Sequence, residues 1–352
     1  MASLTQVSIA ARKTIRFGIY ITIFIILARY SIIASIALYR KYFPKPPPPP
    51  TVGFGKLPKL IFPDKPIPEN LSFKLETADG SLPKFIDQLP VFTMPIASTN
   101  IRALEDAKVK AGMLGFRAED GFNIIQSIPN VFIFRKPNSS SLLTINIITG
   151  IYSISYDLTS DTSILTTRPQ STEISINQAK EFLQDGNSYP ADLSGDVITD
   201  LLRVDKGQLV PAISLSESNF AKVNFFRKKF IYREIEFPNV TADYPEANVW
   251  LMTNGNRIIA GEFHYFPLDE LKFETYPLIS SQEAWDRLNL KNAYFANLGN
   301  NPDGNITIRK VYVAHYDAGQ YVKYYQPVAV FEGDNGFFAF LPAVTDEYYG
   351  DQ

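Results

Sequence analysis

The longest apolar stretch of the chain lies near its N-terminus. Residues 17–39 form a run of 23 residues in which Arg29 is the only charged residue. As an α-helix such a run is about 35 Å long, which is enough to cross a hydrocarbon core of ~30 Å. It is longer than the apolar region of a cleaved signal peptide (about 7–15 residues), although Ser35-Ile36-Ala37 resembles a small-x-small cleavage site. We therefore predict an uncleaved transmembrane helix over 17–39, with cleavage and a buried core helix as the alternatives.

A proline-rich segment follows this helix. Ten of the 25 residues from Pro44 to Pro68 are proline, including the unbroken run Pro46–Pro50. Proline fixes φ and lacks a backbone donor, so the segment favours an extended polyproline II conformation. We predict a stalk over 40–69 that could hold the next domain up to ~75 Å from the bilayer. Its apolar part, Phe54–Pro63, is expected to lie against the domain or a neighbour.

From residue 70 onward, short strand-like runs alternate with isolated amphipathic helices. The period of the apolar positions predicts helices over 100–114, from Ser175 and from Ser280, and a short helix over 196–204. Alternating patterns and turn signals such as Asn254-Gly255 predict strands over 71–77, 122–127, 131–135, 142–149, 151–157, 209–215, 221–231, 248–253, 257–266, 306–316, 321–332 and 337–344. Long strands with short connections predict an α+β fold in which antiparallel sheets are each packed by a short amphipathic helix.

Two of the predicted helices share one sequence pattern. Residues 174–183 and 279–288 both fit I-S-x-x-[Q/E]-A-x-x-x-L. Ser175 with Gln178, and Ser280 with Glu283, are spaced as capping boxes at a helix start. The repetition predicts a duplicated helix-plus-sheet unit, with chance reuse of a common helix start as the alternative. We predict α+β units over 70–170, 171–275 and 276–352.

The distribution of charge along the chain bears on the class of partner that the protein binds. The formal net charge is −2, but nine of the 34 Lys and Arg residues precede the first acidic residue, Asp64. The remaining chain therefore carries 25 bases against 36 acids. Binding of nucleic acid depends on clustered basic residues, so this acidic part argues against a nucleic-acid partner.

Candidate catalytic and metal-binding residues are few. The chain has no cysteine, which excludes disulfides, thiolate nucleophiles and cysteine-ligated metals. Its two histidines, His264 and His315, lie in alternating strands and are expected to face solvent or to form local hydrogen bonds. Asp185, Asp192 and Asp196 lie in a glycine-containing loop, which leaves calcium binding by this loop as an alternative. We predict no catalytic residue, no cofactor site and no metal site.

The candidate functional residues are in the membrane helix. Arg29 lies near the middle of the span, where a charge costs about 2.5–3.5 kcal/mol on insertion scales. It could meet a carboxylate or carbonyls of a partner helix, or it could extend toward the interface. Ser31 and Ser35 form a small-xxx-small pair that lets two helix backbones approach closely. We predict that Arg29, Ser31 and Ser35 contact another helix in the membrane.

The basic residues do not fix the orientation of the helix, because both flanks are basic. We favour a cytoplasmic N-terminus over residues 1–16 and an extracytoplasmic C-terminal domain, which gives a single-pass protein of the cell membrane.

The C-terminal part resembles the YycH/YycI group and, more broadly, PepSY-like domains. The segments that carry the resemblance are Tyr276–Trp285, Tyr325–Glu332 and Phe337–Ala343, and the likeness covers about the last 150 residues. The resemblance implies a bacterial, extracytoplasmic, non-enzymatic domain that modulates a membrane sensor kinase. The proline-rich segment departs from that pattern.

These observations predict a membrane-anchored, non-enzymatic binding or regulatory protein that contacts another protein of the cell envelope and is able to self-associate. A structural or wall-associated scaffold is the first alternative. A hydrolase with an unrecognised carboxylate pair is the second.

Overall fold

The computed structural model describes residues 4–42, 48–98, 100–116, 124–136, 139–158 and 161–350. The chain divides into two compact units, residues 1–49 and residues 50–352. We call the second unit the body. Residues 43–47 of the predicted stalk and residues 122–123 of the predicted strand over 122–127 lie outside the described residues.

One helix makes up most of the described part of the first unit. Helix α1, Leu4–Tyr42, is 39 residues long. Within it, Ala11–Tyr39 has a mean hydropathy of 2.2 and is long and apolar enough to span a membrane. The predicted apolar helix is therefore confirmed, and it extends beyond the predicted 17–39 at both ends.

In its described residues, the body combines three α-helices with strands in four sheets. The helices are α2 Ala103–Met113, α3 Thr172–Asp185 and α4 Ser281–Asn289. The strands are, in chain order, β1 Ser72–Leu75, β2 Gln88–Thr93, β3 Ile124–Ile128, β4 Val131–Arg135, β5 Ser141–Asn146, β6 Tyr152–Tyr156, β7 Val197–Asp205, β8 Gln208–Pro211, β9 Phe220–Phe225, β10 Phe230–Tyr232, β11 Ile235–Phe237, β12 Asn239–Thr241, β13 Val249–Thr253, β14 Ile258–Phe263, β15 Asp269–Pro277, β16 Tyr294–Asn297, β17 Asn305–Asp317, β18 Tyr324–Tyr325, β19 Pro327–Gly333 and β20 Phe338–Pro342. The mixed α+β class is as predicted.

The largest sheet is antiparallel and has nine strands in the order β3-β4-β5-β6-β14-β13-β9-β7-β8. Helices α2 and α3 contribute Ala107, Ala111, Ala179 and Leu183 to the core cluster on this sheet. Because β6 pairs with β14, the predicted boundary at 170/171 falls between two neighbouring strands of one sheet.

The second large sheet has the order β1-β17-β19-β20-β16 and is covered by α4. Its strands β17, β19 and β20 pair antiparallel in that order and overlap the predicted strands over 306–316, 321–332 and 337–344. Strands β1 and β12 both pair with β17 in parallel, so this sheet is mixed, unlike the wholly antiparallel prediction. A three-stranded sheet, β15-β2-β18, and the hairpin β10-β11 complete the body.

One predicted helix is wrong. The segment predicted as a helix over 196–204 instead forms strand β7, Val197–Asp205, whose residues from Val197 to Leu202 pair with β9. The segment Val-Ile-Thr at its start is β-branched and favours a strand. Pairing with a neighbour distant in sequence decides the conformation here.

The two helices with the shared pattern begin differently. Ser280 is the N-cap of α4, and its Oγ accepts a hydrogen bond from the Glu283 backbone N–H at 3.1 Å, as predicted. Helix α3 instead begins one turn early, with Ser171 as its N-cap. Ser175 therefore lies inside the helix, where its Oγ donates to the Ser171 carbonyl, and the predicted capping box there is wrong.

Much of the predicted stalk belongs to the body. Leu57 is fully buried, the Leu60 backbone N–H donates to the Tyr349 hydroxyl, and the Phe62 ring stacks on Tyr294 with 4.6 Å between centroids. Packing of the apolar segment Phe54–Pro63 on the domain is confirmed. These residues cannot lengthen the connection to α1, so the predicted reach of ~75 Å is wrong.

Candidate functional site

The three predicted contact residues of α1 do not share one face. At about 100° per residue, Ser31 and Ser35 lie about 200° and 240° around the helix axis from Arg29. All three side chains are exposed on the helix. Around Arg29 the helix surface is apolar, with Ile25, Ile32 and Ile33 lining the same shallow groove. The sequence therefore offers two separate contacts, a charged one at Arg29 and a small-residue one at Ser31 and Ser35.

The body contains a buried charged centre that the sequence did not indicate. The Arg227 side chain is 2% exposed and lies just after β9. Its Nε donates to Asp317 Oδ2 at 2.7 Å, its Nη1 to Asp192 Oδ2 at 2.5 Å and its Nη2 to the Phe266 carbonyl at 2.5 Å. Every nitrogen of the guanidinium therefore has an acceptor, as a buried charge requires.

Two tyrosines complete this centre. The Arg227 guanidinium carbon lies 4.3 Å from the centre of the Tyr265 ring, and the Tyr265 hydroxyl donates to Asp192 Oδ1 at 2.7 Å. Burial, followed by the hydrogen bond to Asp192, raises the pKa of Tyr265 above its usual range. The Tyr325 ring lies on another side of the guanidinium, with its centre 5.8 Å from the same carbon. The Tyr325 hydroxyl donates to Asn239 Oδ1.

The arrangement of the Arg227 centre indicates a structural role. Asp192 precedes β7 of the nine-stranded sheet, whereas Asp317 ends β17 of the six-stranded sheet, so Arg227 joins the two. The adjoining cavity measures about 10 Å³, which is about the volume one water occupies. The guanidinium and both carboxylates are largely shielded from solvent, with side-chain exposures of 2%, 11% and 9%.

The loop considered for calcium is used differently. Asp192 is bound to Arg227, and Asp196 lies 3.7 Å from Lys229 Nζ. Among the described residues there is no group of three or more His, Asp or Glu side chains placed to hold a metal ion.

The expectation for His315 is wrong. Its side chain is fully buried, and its Nε2 lies 2.8 Å from the Pro90 carbonyl, 225 positions away in sequence. The ring is packed against Phe92, Phe230 and Tyr325. Burial lowers the pKa of His315 to about 4, so the ring is neutral at physiological pH. The His315 Nε2–H donates to the Pro90 carbonyl, and this hydrogen bond links β17 to β2.

His264 is half-buried beside the Arg227 centre and lines the same small cavity. Its backbone N–H donates to the Asn248 carbonyl at 3.0 Å.

Two larger clefts are open to solvent. One, of about 370 Å³, lies between α2, α3 and the large sheet and is lined by apolar residues such as Leu114 and Phe182, with Lys136 and Glu181 also on its wall. The other, of about 350 Å³, lies between β10 and the three-stranded sheet, where Phe92, Phe230 and Phe273 line it. Either is large enough for a side chain of a partner or a small ligand.

Comparisons with known proteins add little to these observations. No protein-family model matches the chain, and no curated protein matches it. Among solved structures, the chain is similar to a crystal structure of an uncharacterized protein from Eubacterium rectale ATCC 33656. The match has a TM-score of 0.38 and 12% sequence identity, and it covers 81% of this chain and 92% of that one. So distant a likeness carries no argument about what either protein does.

Proposed function

We propose that this protein is a membrane-anchored, non-enzymatic binding or regulatory protein of the cell envelope, with its body outside the cytoplasm. The observation that carries the proposal is Arg29, a charge amid the apolar span Ala11–Tyr39. Intramembrane charges are costly and usually meet a partner or line a path for a solute. A single helix encloses no path, so a partner helix is the better explanation.

The body supports a binding role rather than chemistry. Its buried charged group, Arg227, is enclosed, and its guanidinium is satisfied by Asp192, Asp317 and a carbonyl. The open cleft beside β10 has a mainly apolar wall, whereas the cleft beside α2 and α3 has a mixed wall of apolar, polar and charged residues. The resemblance to the YycH/YycI group supports the same role, with a membrane sensor as the class of partner.

An internal duplication is part of this proposal. Ala179 and Leu183 of α3, and Ala284 and Leu288 of α4, occupy equivalent places in the shared pattern and are all fully buried. Each pair packs on its own large sheet. A duplicated unit would give the body two related surfaces for its partner.

The side of the membrane on which the body lies is testable because the chain lacks cysteine. Ile213 is 95% exposed, so a single Ile213→Cys variant should react with a membrane-impermeant maleimide in intact cells. The N-terminal variant Ser3→Cys should react only after the cells are permeabilised. The reverse pattern would place the body in the cytoplasm and overturn the proposed location.

Removal of the intramembrane charge should break the helix contact. We expect Arg29→Leu to reduce recovery of a membrane partner at least tenfold when the full chain is purified in a mild detergent. A tenfold loss corresponds to about 1.4 kcal/mol, which is within the range of a charged contact in a low-dielectric medium. Quantitative mass spectrometry of the copurified proteins measures the loss.

Two variants make this test specific. Arg29→Lys keeps the charge and should retain most of the partner, whereas Arg16→Leu removes a charge near the end of the span and should change little. Ser31→Ile with Ser35→Ile tests the other face independently. Identical partner lists for wild type and Arg29→Leu would show that Arg29 recognises no helix.

A further inference from the structure

The connection between the membrane helix and the body is short. Helix α1 ends at Tyr42, and by Thr51 the chain is bonded to the body, since the Thr51 backbone N–H donates to Thr275 Oγ1 at 3.0 Å. The next backbone N–H, of Val52, donates to the Thr275 carbonyl at 3.1 Å. Nine residues span at most about 30 Å at full extension. If α1 spans the bilayer, as the proposed function requires, the surface around Thr275 stays within about that distance of the lipid.

Three chain segments meet near this entry point. Thr93 of β2 pairs with Asp269 of β15 on one side and with Tyr324 of β18 on the other. One residue further, the Met94 N–H donates to the Lys323 carbonyl. The ends of these strands therefore form one surface, which we call the entry patch and define as Ile96, Leu271, Lys272, Phe273, Tyr321 and Lys323.

The apolar side chains of the entry patch project into solvent. Leu271 is 96% exposed, Ile96 79% and Phe273 46%. The pairing of β15 with β2 is irregular between Asp269 and Phe273, so Leu271 stands in a bulge outside the ladder. Phe273 packs in part against the Phe92 ring, but packing within the body does not explain Leu271 and Ile96, whose apolar surface is removed from water only if something outside the body covers it.

The entry patch also carries positive charge next to the connection. Lys272 and Lys323 are exposed, and the described residues include no ion pair of either. Lys323 Nζ lies 5.0 Å from the centre of the Tyr324 ring, on which Phe54 of the connecting segment stacks at 4.9 Å.

The nearby carboxylates are mostly occupied. Asp269 accepts a hydrogen bond from the Leu271 N–H, and Glu270 is paired with Lys228. The Glu274 carboxylate lies beside the backbone of Gly53. The exposed groups of the entry patch that have no carboxylate partner among the described residues are therefore Lys272 and Lys323, beside the apolar side chains of Leu271 and Ile96.

We propose that the entry patch rests on the bilayer, with Leu271 and Ile96 among the headgroups and Lys272 and Lys323 against anionic lipid phosphates. Apolar, aromatic and lysine side chains together are typical of segments that lie in the membrane interface. Each lysine near an anionic membrane contributes only modestly to the free energy of membrane binding. The short connection compensates, because it holds the patch at a high effective concentration near the lipid.

Single-cysteine labelling of the full chain tests the contact. The chain has no cysteine, so Leu271→Cys and Ile96→Cys can each carry one environment-sensitive fluorophore, with Ile213→Cys as the exposed reference after the edge strand β8. The labelled proteins are reconstituted into vesicles with and without anionic lipid. We expect blue-shifted emission at 271 and 96, and at least threefold stronger quenching by spin-labelled lipid than at 213.

Charge reversal separates lipid contact from a general apolar environment. Lys272→Glu with Lys323→Glu should reduce quenching at 96 by half or more in anionic vesicles and should change little in zwitterionic ones. Quenching at 271 no stronger than at 213 would overturn the proposal. So would a blue shift without lipid quenching, which would mean that a protein or a second copy covers the patch.

The same vesicles distinguish this inference from the function on which it depends. Release of the chain by an alkaline wash would show that α1 is no anchor, and the inference would fall with the proposed function. Retention of the chain, combined with solvent-like probes at 271 and 96, would overturn the inference alone.

Discussion

Replacing Arg227 with methionine is expected to lower the free energy of unfolding of the body by about 3–5 kcal/mol. The substitution keeps much of the side-chain volume but leaves the carboxylates of Asp192 and Asp317 without the cation that both now contact. Both carboxylates are largely buried, at 11% and 9% side-chain exposure, so water cannot replace the lost partner. Urea unfolding of the full chain in detergent, followed by tryptophan fluorescence, measures the loss.

The chain supplies a matched control for this prediction. Arg309 also contacts two carboxylates, those of Asp334 and Glu76, but it lies on the surface at 45% side-chain exposure. Arg309→Met should therefore change stability little, because solvent screens exposed pairs. Adding Asp192→Asn and Asp317→Asn to Arg227→Met should recover part of the loss. An Arg227→Met protein as stable as Arg309→Met would show that the buried centre does not hold the sheets together.

The two tryptophans report on different sheets, so they give more information than a single unfolding midpoint. Trp250 lies in β13 of the nine-stranded sheet, and Trp285 lies in α4 against the six-stranded sheet. Because Arg227 joins these two parts, its loss should weaken both, and variants that retain only Trp250 or only Trp285 should report similar shifts.

Local patterns predicted most elements of this fold. The strand that precedes Asn254-Gly255, the turn itself and the cap of α4 at Ser280 all depend on residues close in sequence. The two failures differ in character. Strand β7 is fixed by pairing with β9, which is distant in sequence, whereas α3 begins at Ser171 through a local cap, in which the Ser171 Oγ accepts a hydrogen bond from the Ile174 backbone N–H.

The same limit applies to the candidate sites. Arg29 was found because a charge in an apolar run is visible in the sequence itself. The Arg227 centre was missed, because Asp192 and Asp317 lie 35 and 90 positions from the arginine and nothing in the sequence pairs them. His315 was misjudged for a similar reason, since its alternating strand pattern does not show that β2 covers the face on which it lies.

Leu57→Ala is expected to lower the free energy of unfolding by about 2–5 kcal/mol, although the composition of this segment predicts a stalk. Leu57 is fully buried with Val91, Tyr276 and Val344, and its N–H donates to the Tyr348 carbonyl. Truncation would leave a cavity among these side chains. It would also loosen the segment through which the chain enters the body. Proteolytic cleavage after residue 50 should therefore become faster in parallel with the loss of stability.

Ile61 provides the comparison within the same segment, because its side chain is 53% exposed. Its carbonyl accepts a hydrogen bond from the Tyr316 hydroxyl, a contact that Ile61→Ala retains. Ile61→Ala should therefore lower stability by less than about 1 kcal/mol. Equal small effects of Leu57→Ala and Ile61→Ala would restore the stalk interpretation. A large effect of Leu57→Ala alone would show that the segment from Thr51 to Pro63 is part of the body, so that it does not lengthen the connection between α1 and the body.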